Sequence, residues 1–196
     1  MMDTDQRISP AQANCLGISR NKTGWGLSFF DTEIRLDPNG NIGNDDPALS
    51  PALREVLTAY VTATPDAIPD SMPGEMPSLL TFREFSGAAP LFASFTANTA
   101  KTIERQFSGR LDLLARRARS LRGETCKDQR LSGLGFDVSV RFTALPKIPV
   151  ILNFNDADEF MPATAAFLFE ETASEFLSLK HLMTLATYLT GRLIRS

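Results

Sequence analysis

The sequence is poor in the residues that most often carry chemistry. Its 196 residues include two cysteines, Cys15 and Cys126, and one histidine, His181. Neither cysteine has a CxxC partner, so spacing builds no zinc or iron–sulfur site. A long-range disulfide and a pair of reduced thiols both remain open, and reduced thiols suit a cytosolic protein. A Ser–His–Asp or Cys–His mechanism would have to use His181. That residue sits among leucines with no nucleophile-elbow motif nearby, which reads as a structural or surface histidine. GxGxxG and GxxxxGK[ST] are both absent, and Gly24-Trp25-Gly26 and Gly133-Leu134-Gly135 are too short to cradle a phosphate. No run approaches the roughly 20 apolar residues of a membrane helix. The start, MMDTDQRISPAQ, has no apolar core of a signal peptide, so a cytoplasmic location without membrane contact is expected. The formal charge is -3 and the pI about 5.2, which argues against generic nucleic-acid binding.

What the chain does have is a Phe-rich apolar complement. The apolar fraction is 43%, the charged fraction 22%, and 14 Phe stand beside one Trp and two Tyr. Those proportions belong to a folded globular chain rather than a disordered one. Residues 1–22 read as a loose lead-in with a short helix near Ala11–Leu16, and residues 23–196 as one domain. Leu27, Phe29, Ile34 and Leu36 alternate with polar neighbours around Asp31-Thr32, the pattern of a β-hairpin. Asp37-Pro38-Asn39-Gly40 is a turn. Ser50-Pro51 opens a helix with Leu53, Val56, Leu57 and Tyr60 on its apolar stripe. Pro65, Pro69, Pro73 and Pro77 make 64–78 a long exposed loop. LLTFREF (79–85) reads as a short strand or turn. Helices are expected near Asn98–Phe107 and Leu111–Leu121, with Gly123 as a C-terminal stop.

Phe136, Val138, Val140 and Phe142 alternate with Asp137, Ser139, Arg141 and Thr143, which is a half-buried strand. Val150–Phe154 pairs back on it after a turn at 145–149. Pro162–Phe169 fits helix or strand, and a terminal helix runs from about Ser178 to Ile194. Strands and helices are segregated, so the expected class is α+β: an antiparallel sheet of hairpins, drawn together as one sheet, packed against a few amphipathic helices.

Three groups of residues could carry function. Asp156, Asp158 and Glu159 follow directly on a strand, and clustered carboxylate oxygens suit a hard divalent cation. Solvated turns collect the same residues. On the helix pair, Arg116 and Arg119 lie in a run with Lys101, Arg105, Arg110, Arg117 and Arg122 that could clamp a small anion, or form a solvated face. Arg83 and Glu84, framed by Phe82 and Phe85, could be a ligand contact or a structural anchor.

The run from GFDVSVRFTALPKIPV onward resembles a bacterial and archaeal family catalogued as domain of unknown function 3786. Phe142, Pro146, Ile148, Pro149, Asp158, Glu159, Phe160, Pro162, Leu168, Phe169, Phe176 and Leu177 carry the likeness. It extends over roughly residues 25–194, through GLSFFDTEIRLDPNG and TFREFSG. The turn Gly87-Ala88-Ala89 departs from a family Gly-Gly-aromatic pattern. The resemblance implies a link to anaerobic cofactor or one-carbon metabolism. Some members carry a four-cysteine iron–sulfur domain like that of corrinoid proteins, and here any cluster would belong to a partner protein. It transfers no catalytic residue, and the cofactor stays open.

The function expected from these readings is a non-enzymatic accessory domain binding a small anionic ligand, a cofactor or a partner through the face of Arg83 and the 64–78 loop. The alternative is a metal-assisted enzyme built on Asp156, Asp158 and Glu159. A structural homodimer formed through a leucine face is a further possibility.

Overall fold

A computed structural model describes residues 8–21, 24–43, 49–64, 78–126 and 135–195. The proline-rich loop, apart from its ends at 64 and 78, and the Gly133-Leu134 pair lie outside them.

Local rules start the first elements. Ser9 accepts the Gln12 N–H and Pro10 takes the first helical position, so α1 runs Pro10–Leu16. It stops at Gly17, whose φ of 68° only glycine adopts cheaply. Strands β1 (Ser19–Asn21), β2 (Gly24–Phe29) and β3 (Thr32–Leu36) form a three-stranded antiparallel sheet in that order. Thus residues 10–21, within the expected lead-in, form a helix and a strand, and Leu16 is fully buried. Ser50 and Pro51 open α2 (Pro51–Val61) in the same way, and Leu53, Val56, Leu57 and Tyr60 are all buried.

The second sheet has five antiparallel strands in the order β4-β8-β7-β6-β5: β4 (Leu79–Thr81), β5 (Glu124–Thr125), β6 (Val138–Leu145), β7 (Ile148–Asn155) and β8 (Thr164–Glu170). As the alternation predicts, Val138, Val140 and Phe142 are buried while Arg141 and Thr143 are exposed. β7 is central and buried from Ile148 through Phe154. Pro149, with no N–H to donate, sits opposite a break in register between Thr143 and Leu145.

Helices α3 (Ala89–Asn98), α4 (Ala100–Phe107), α5 (Leu111–Ser120), α6 (Ala173–Phe176) and α7 (Leu179–Arg195) complete the described elements. The segment Pro162–Phe169 thus runs as strand from Thr164 on, and the stretch ahead of Asn98 is helical. The class is α+β.

One detail of the expected architecture is corrected. The early hairpin does not join the later strands in one sheet. Phe30 takes a left-handed φ of 50° at the hairpin tip and donates its N–H to the carbonyl of Ala144 at 3.1 Å, inside the irregular stretch of β6. Two sheets therefore meet at β2 and β6. Burial is nonetheless continuous: one apolar cluster contains Leu27 and Phe29 of the first sheet, Phe142 and Leu152 of the second, and Leu189 of α7.

Polar anchors fix the terminal helix. Arg192 donates to Asp31 at 2.9 Å and to the Tyr188 hydroxyl at 3.0 Å, tying α7 to the hairpin tip. Arg117 of α5 donates to the carbonyls of Leu193 and Ile194, and its guanidinium lies 5.8 Å from the Phe107 ring centroid. A cation on helix C-terminal carbonyls satisfies orphan acceptors and complements the dipole. Arg117→Met keeps the stem and removes the cap. We expect it to cost about 1–2 kcal/mol, read from the urea midpoint at unchanged slope.

Candidate functional site

The expected ligand residues do not come together. Arg83 and Glu84 occupy a 3-10 turn (Phe82–Glu84) after β4, at one edge of the five-stranded sheet, and both are exposed. Glu84 accepts the Thr81 N–H at 2.6 Å and the Thr81 hydroxyl at 2.8 Å, a capping box closing on its own turn. Those two donors, the N–H first, hold its carboxyl below the usual range. Arg83 lies 5.6 Å from the Phe92 ring centroid. Arg116 and Arg119 are on α5, which packs on β6 and leads into β5 at the opposite edge. Both are exposed, and Arg119 donates to Ala115 of its own helix.

The carboxylates after β7 do not converge either. Asp156 accepts the N–H groups of Gly109 at 2.7 Å and Ala157 at 2.8 Å. Asp158 accepts those of Phe160 and Met161 at 2.8 Å each, which hold its carboxyl below the usual range, Phe160 contributing first. Glu159 is exposed. Among the described residues no three of His, Cys, Asp and Glu are placed to hold a metal ion. One oxygen of Asp156 and one of Asp158 are engaged by backbone N–H groups instead.

His181 packs against α2, with Nε2 3.6 Å from a Glu55 carboxylate oxygen that also lies 3.6 Å from the Lys180 ammonium. Cys15 and Cys126 are both free thiols.

The structure offers a concave site elsewhere. A cleft of about 690 Å³ opens between α1, the turn after β3, and α2. That volume is within the range of small-molecule sites. Gln12 stands on α1, Asn39 and Asn41 on the turn, and Arg54 and Thr58 on α2 with Thr62 at its C-cap, over an apolar floor that includes Ile8 and Val61. Each wall has a local cause. Gln12 donates to the Val61 carbonyl at 3.0 Å, tying α1 to the end of α2.

The turn is organised by Asp37, which accepts the Asn39 and Asn41 N–H groups and the Asn41 side-chain amide at 2.8–2.9 Å. Slight burial raises the Asp37 carboxyl, but these donors, the Asn41 side chain foremost, outweigh it and hold it below the usual range. Gly40 closes the turn at φ 88°, and a Cβ there would stand 2.6 Å from Ile8. Arg54 donates to the Gly43 carbonyl at 2.6 Å. Thr64, where the proline-rich segment begins, borders the same cleft.

Apart from Thr64, the first residue of the 64–78 loop, none of these residues was singled out from the sequence as binding. One signal was present: Arg54, Thr58 and Thr62 repeat at four-residue spacing, a polar stripe beside the apolar one of α2. Gln12, Asn39 and Asn41 reach the cleft only through tertiary packing.

A family model described as "Domain of unknown function (DUF3786)" matches residues 10–192. The match begins at α1, so it takes in α1 and β1 as well as the expected span from residue 25. No curated protein and no solved structure matches the chain. Among the described residues no helix is long and apolar enough to cross a membrane.

Proposed function

The chain belongs to the family described as a domain of unknown function, DUF3786, and on that premise we propose that it is a non-enzymatic binding module whose ligand is a small polar molecule held in the cleft between α1 and α2. One observation carries this reading: three segments bring side-chain amides and hydroxyls from Gln12, Asn39, Asn41, Thr58 and Thr62 around one open cleft. Such groups hold a ligand by hydrogen bonds over an apolar floor, which is the chemistry of recognition. The finer reading, an accessory role in anaerobic cofactor metabolism beside an iron–sulfur or corrinoid partner, is part of this proposal and rests on what the sequence resemblance implies. The cleft suits a cofactor fragment or precursor in that setting.

Thermal unfolding with a panel of nucleotides, amino acids, corrinoid precursors and divalent metals tests the proposal. A ligand specific to the native state raises stability by about 2.7 kcal/mol at a hundred times its Kd. Thr58 is exposed on the cleft wall, so Thr58→Trp crowds the cleft without disturbing the core. We expect the variant to keep the ligand-free midpoint and to lose the ligand-induced shift. A shift that survives in Thr58→Trp would place the ligand elsewhere and sink the cleft assignment.

A further inference from the structure

The described part of this molecule exposes two large apolar side chains, Phe160 at 87% and Met161 at 62%. They stand side by side in the β7–β8 turn. The turn is rigid by construction: Asp158 accepts both of their N–H groups, and the Asp158 N–H donates to the Met161 carbonyl at 3.0 Å. Asp156 pins the base of the turn to Gly109. A phenyl ring held in water on a preorganised turn has already lost the chain entropy that docking would otherwise cost. The knob's own segment is also of one charge, with Arg110 following the Gly109 that Asp156 holds. No Lys or Arg occurs from residue 148 to 179, and Asp156, Asp158 and Glu159 flank the ring.

The complementary surface lies on the same chain. A groove of about 690 Å³ runs between the start of α2, the end of α3 and the last turns of α7. Leu53, Met183, Tyr188 and Ile194 line it, Arg195 is its cation, and no carboxylate is among its lining residues. Its floor at Gly191 is informative. A glycine inside a helix costs roughly 0.5–1 kcal/mol relative to alanine, and here the φ does not require it. A Cβ would meet nothing closer than the end of the Arg195 side chain at 3.2 Å, which donates to the Gly191 carbonyl at 3.1 Å. What glycine supplies at 191 is room in the groove.

We propose that the Phe160–Met161 knob of one molecule inserts into the α2–α3–α7 groove of a second copy, the acidic flanks of the knob meeting Arg195, and that reciprocal exchange closes a two-fold dimer. The aromatic anchor enters an apolar pocket and the charges pair at its rim, the usual arrangement of an interface hot spot. Two such contacts bury on the order of 1,000 Å² in total, the low end for a specific interface, so the dimer is a weak one that dissociates in the micromolar range.

Sedimentation velocity and light scattering of the full chain over a dilution series read the result directly. The wild type is expected to move from dimer to monomer on dilution, with Kd several-fold higher at high salt than at low salt. Phe160→Ser, at an exposed position, and Gly191→Leu, which fills the groove, should each weaken the dimer by at least about thirtyfold. Gly191→Ala should leave it intact. Thermal midpoints of all three confirm the fold. A wild type that stays monomeric at several hundred micromolar overturns the proposal. So does a dimer indifferent to Phe160→Ser or to Gly191→Leu, which would mean a different face pairs the copies.

Discussion

Phe95→Ala is expected to remove about 3–5 kcal/mol of folding stability, a large share of the 5–15 kcal/mol a domain of this kind has. Phe95 is 4% exposed on α3. Its ring stacks on Phe82 with centroids 4.0 Å apart and planes 5° from parallel. It meets Phe167 edge-on at 6.3 Å and Phe169 at 6.4 Å. Truncation therefore empties the junction of α3, the 3-10 turn and β8 at once. The cost combines the lost transfer of a phenyl group, a cavity lined by rigid rings, and the ring–ring terms of about 0.5–1.5 kcal/mol per pair. Urea unfolding followed by circular dichroism checks it, and the midpoint should fall at unchanged slope. A loss below about 1 kcal/mol would mean that α3 is not packed as described. Phe95→Leu keeps an apolar filling and should cost distinctly less.

The helix that holds Phe95 is also where the sequence was least legible. α3 reads APLFASFTAN, apolar around much of its circumference, and Phe95 is its buried residue. A stripe cannot be read from a helix that lacks a polar face, and what makes it a helix is the Phe82–Phe95 stack, a contact across 13 positions. Where local chemistry and burial coincide, reading succeeds. β6 alternates because one side meets the core, and α2 begins at Ser50-Pro51 because both residues favour a helix start.

Gly123 was legible only in part. The helix does stop there, and the Gly123 N–H closes it on the Ala118 carbonyl at 2.8 Å, but the left-handed residue after α5 is Arg122, at φ 58°. A Cβ on Gly123 would lie 2.5 Å from Val140 and 2.7 Å from Phe142, so the glycine is there to let the chain pass close over β6. Spacing suggests where a helix ends without saying why the residue is small.

The candidate sites divide along the same line. Sequence reading favours charged residues that are near one another in the chain, such as Asp156, Asp158 and Glu159, or Arg116 and Arg119. Near neighbours tend to satisfy themselves locally, as Asp158 does on Phe160 and Met161, and Arg119 does on Ala115. The cleft draws instead on Gln12, Asn41 and Thr58, neutral residues from three segments that become neighbours only when α1 packs on α2. Neutral donors leave no charge pattern to read, and their convergence is set by hydrogen bonds such as Gln12 to Val61.

Tyr60→Phe should be the most informative single-atom deletion in the fold. The Tyr60 side chain is fully buried. Its hydroxyl donates to the Leu16 carbonyl at 2.7 Å and accepts the Lys147 N–H at 3.1 Å. One oxygen thus satisfies an orphan carbonyl at the end of α1 and a donor in the β6–β7 turn, from a position on α2. Phenylalanine fills the same volume but leaves both partners unpaired, so we expect a loss of about 2–4 kcal/mol, with the α1 amides the most exposed to hydrogen exchange.

The same hydroxyl sets a pH dependence. Burial, opposed by the Lys147 N–H and reinforced by the nearby Cys15, pushes the phenol well above its ordinary 10.0. The folded state therefore keeps a proton that the unfolded chain releases. The stability this group contributes is complete below about pH 10 and drains away as pH rises beyond it, by up to 1.36 kcal/mol per pH unit. Tyr60→Phe cannot release that proton. Its stability should start lower at pH 8 and fall less steeply than the wild type between pH 10 and 11. Parallel curves across that window would show that the Tyr60 hydroxyl is not the buried link between α1, α2 and the β6–β7 turn.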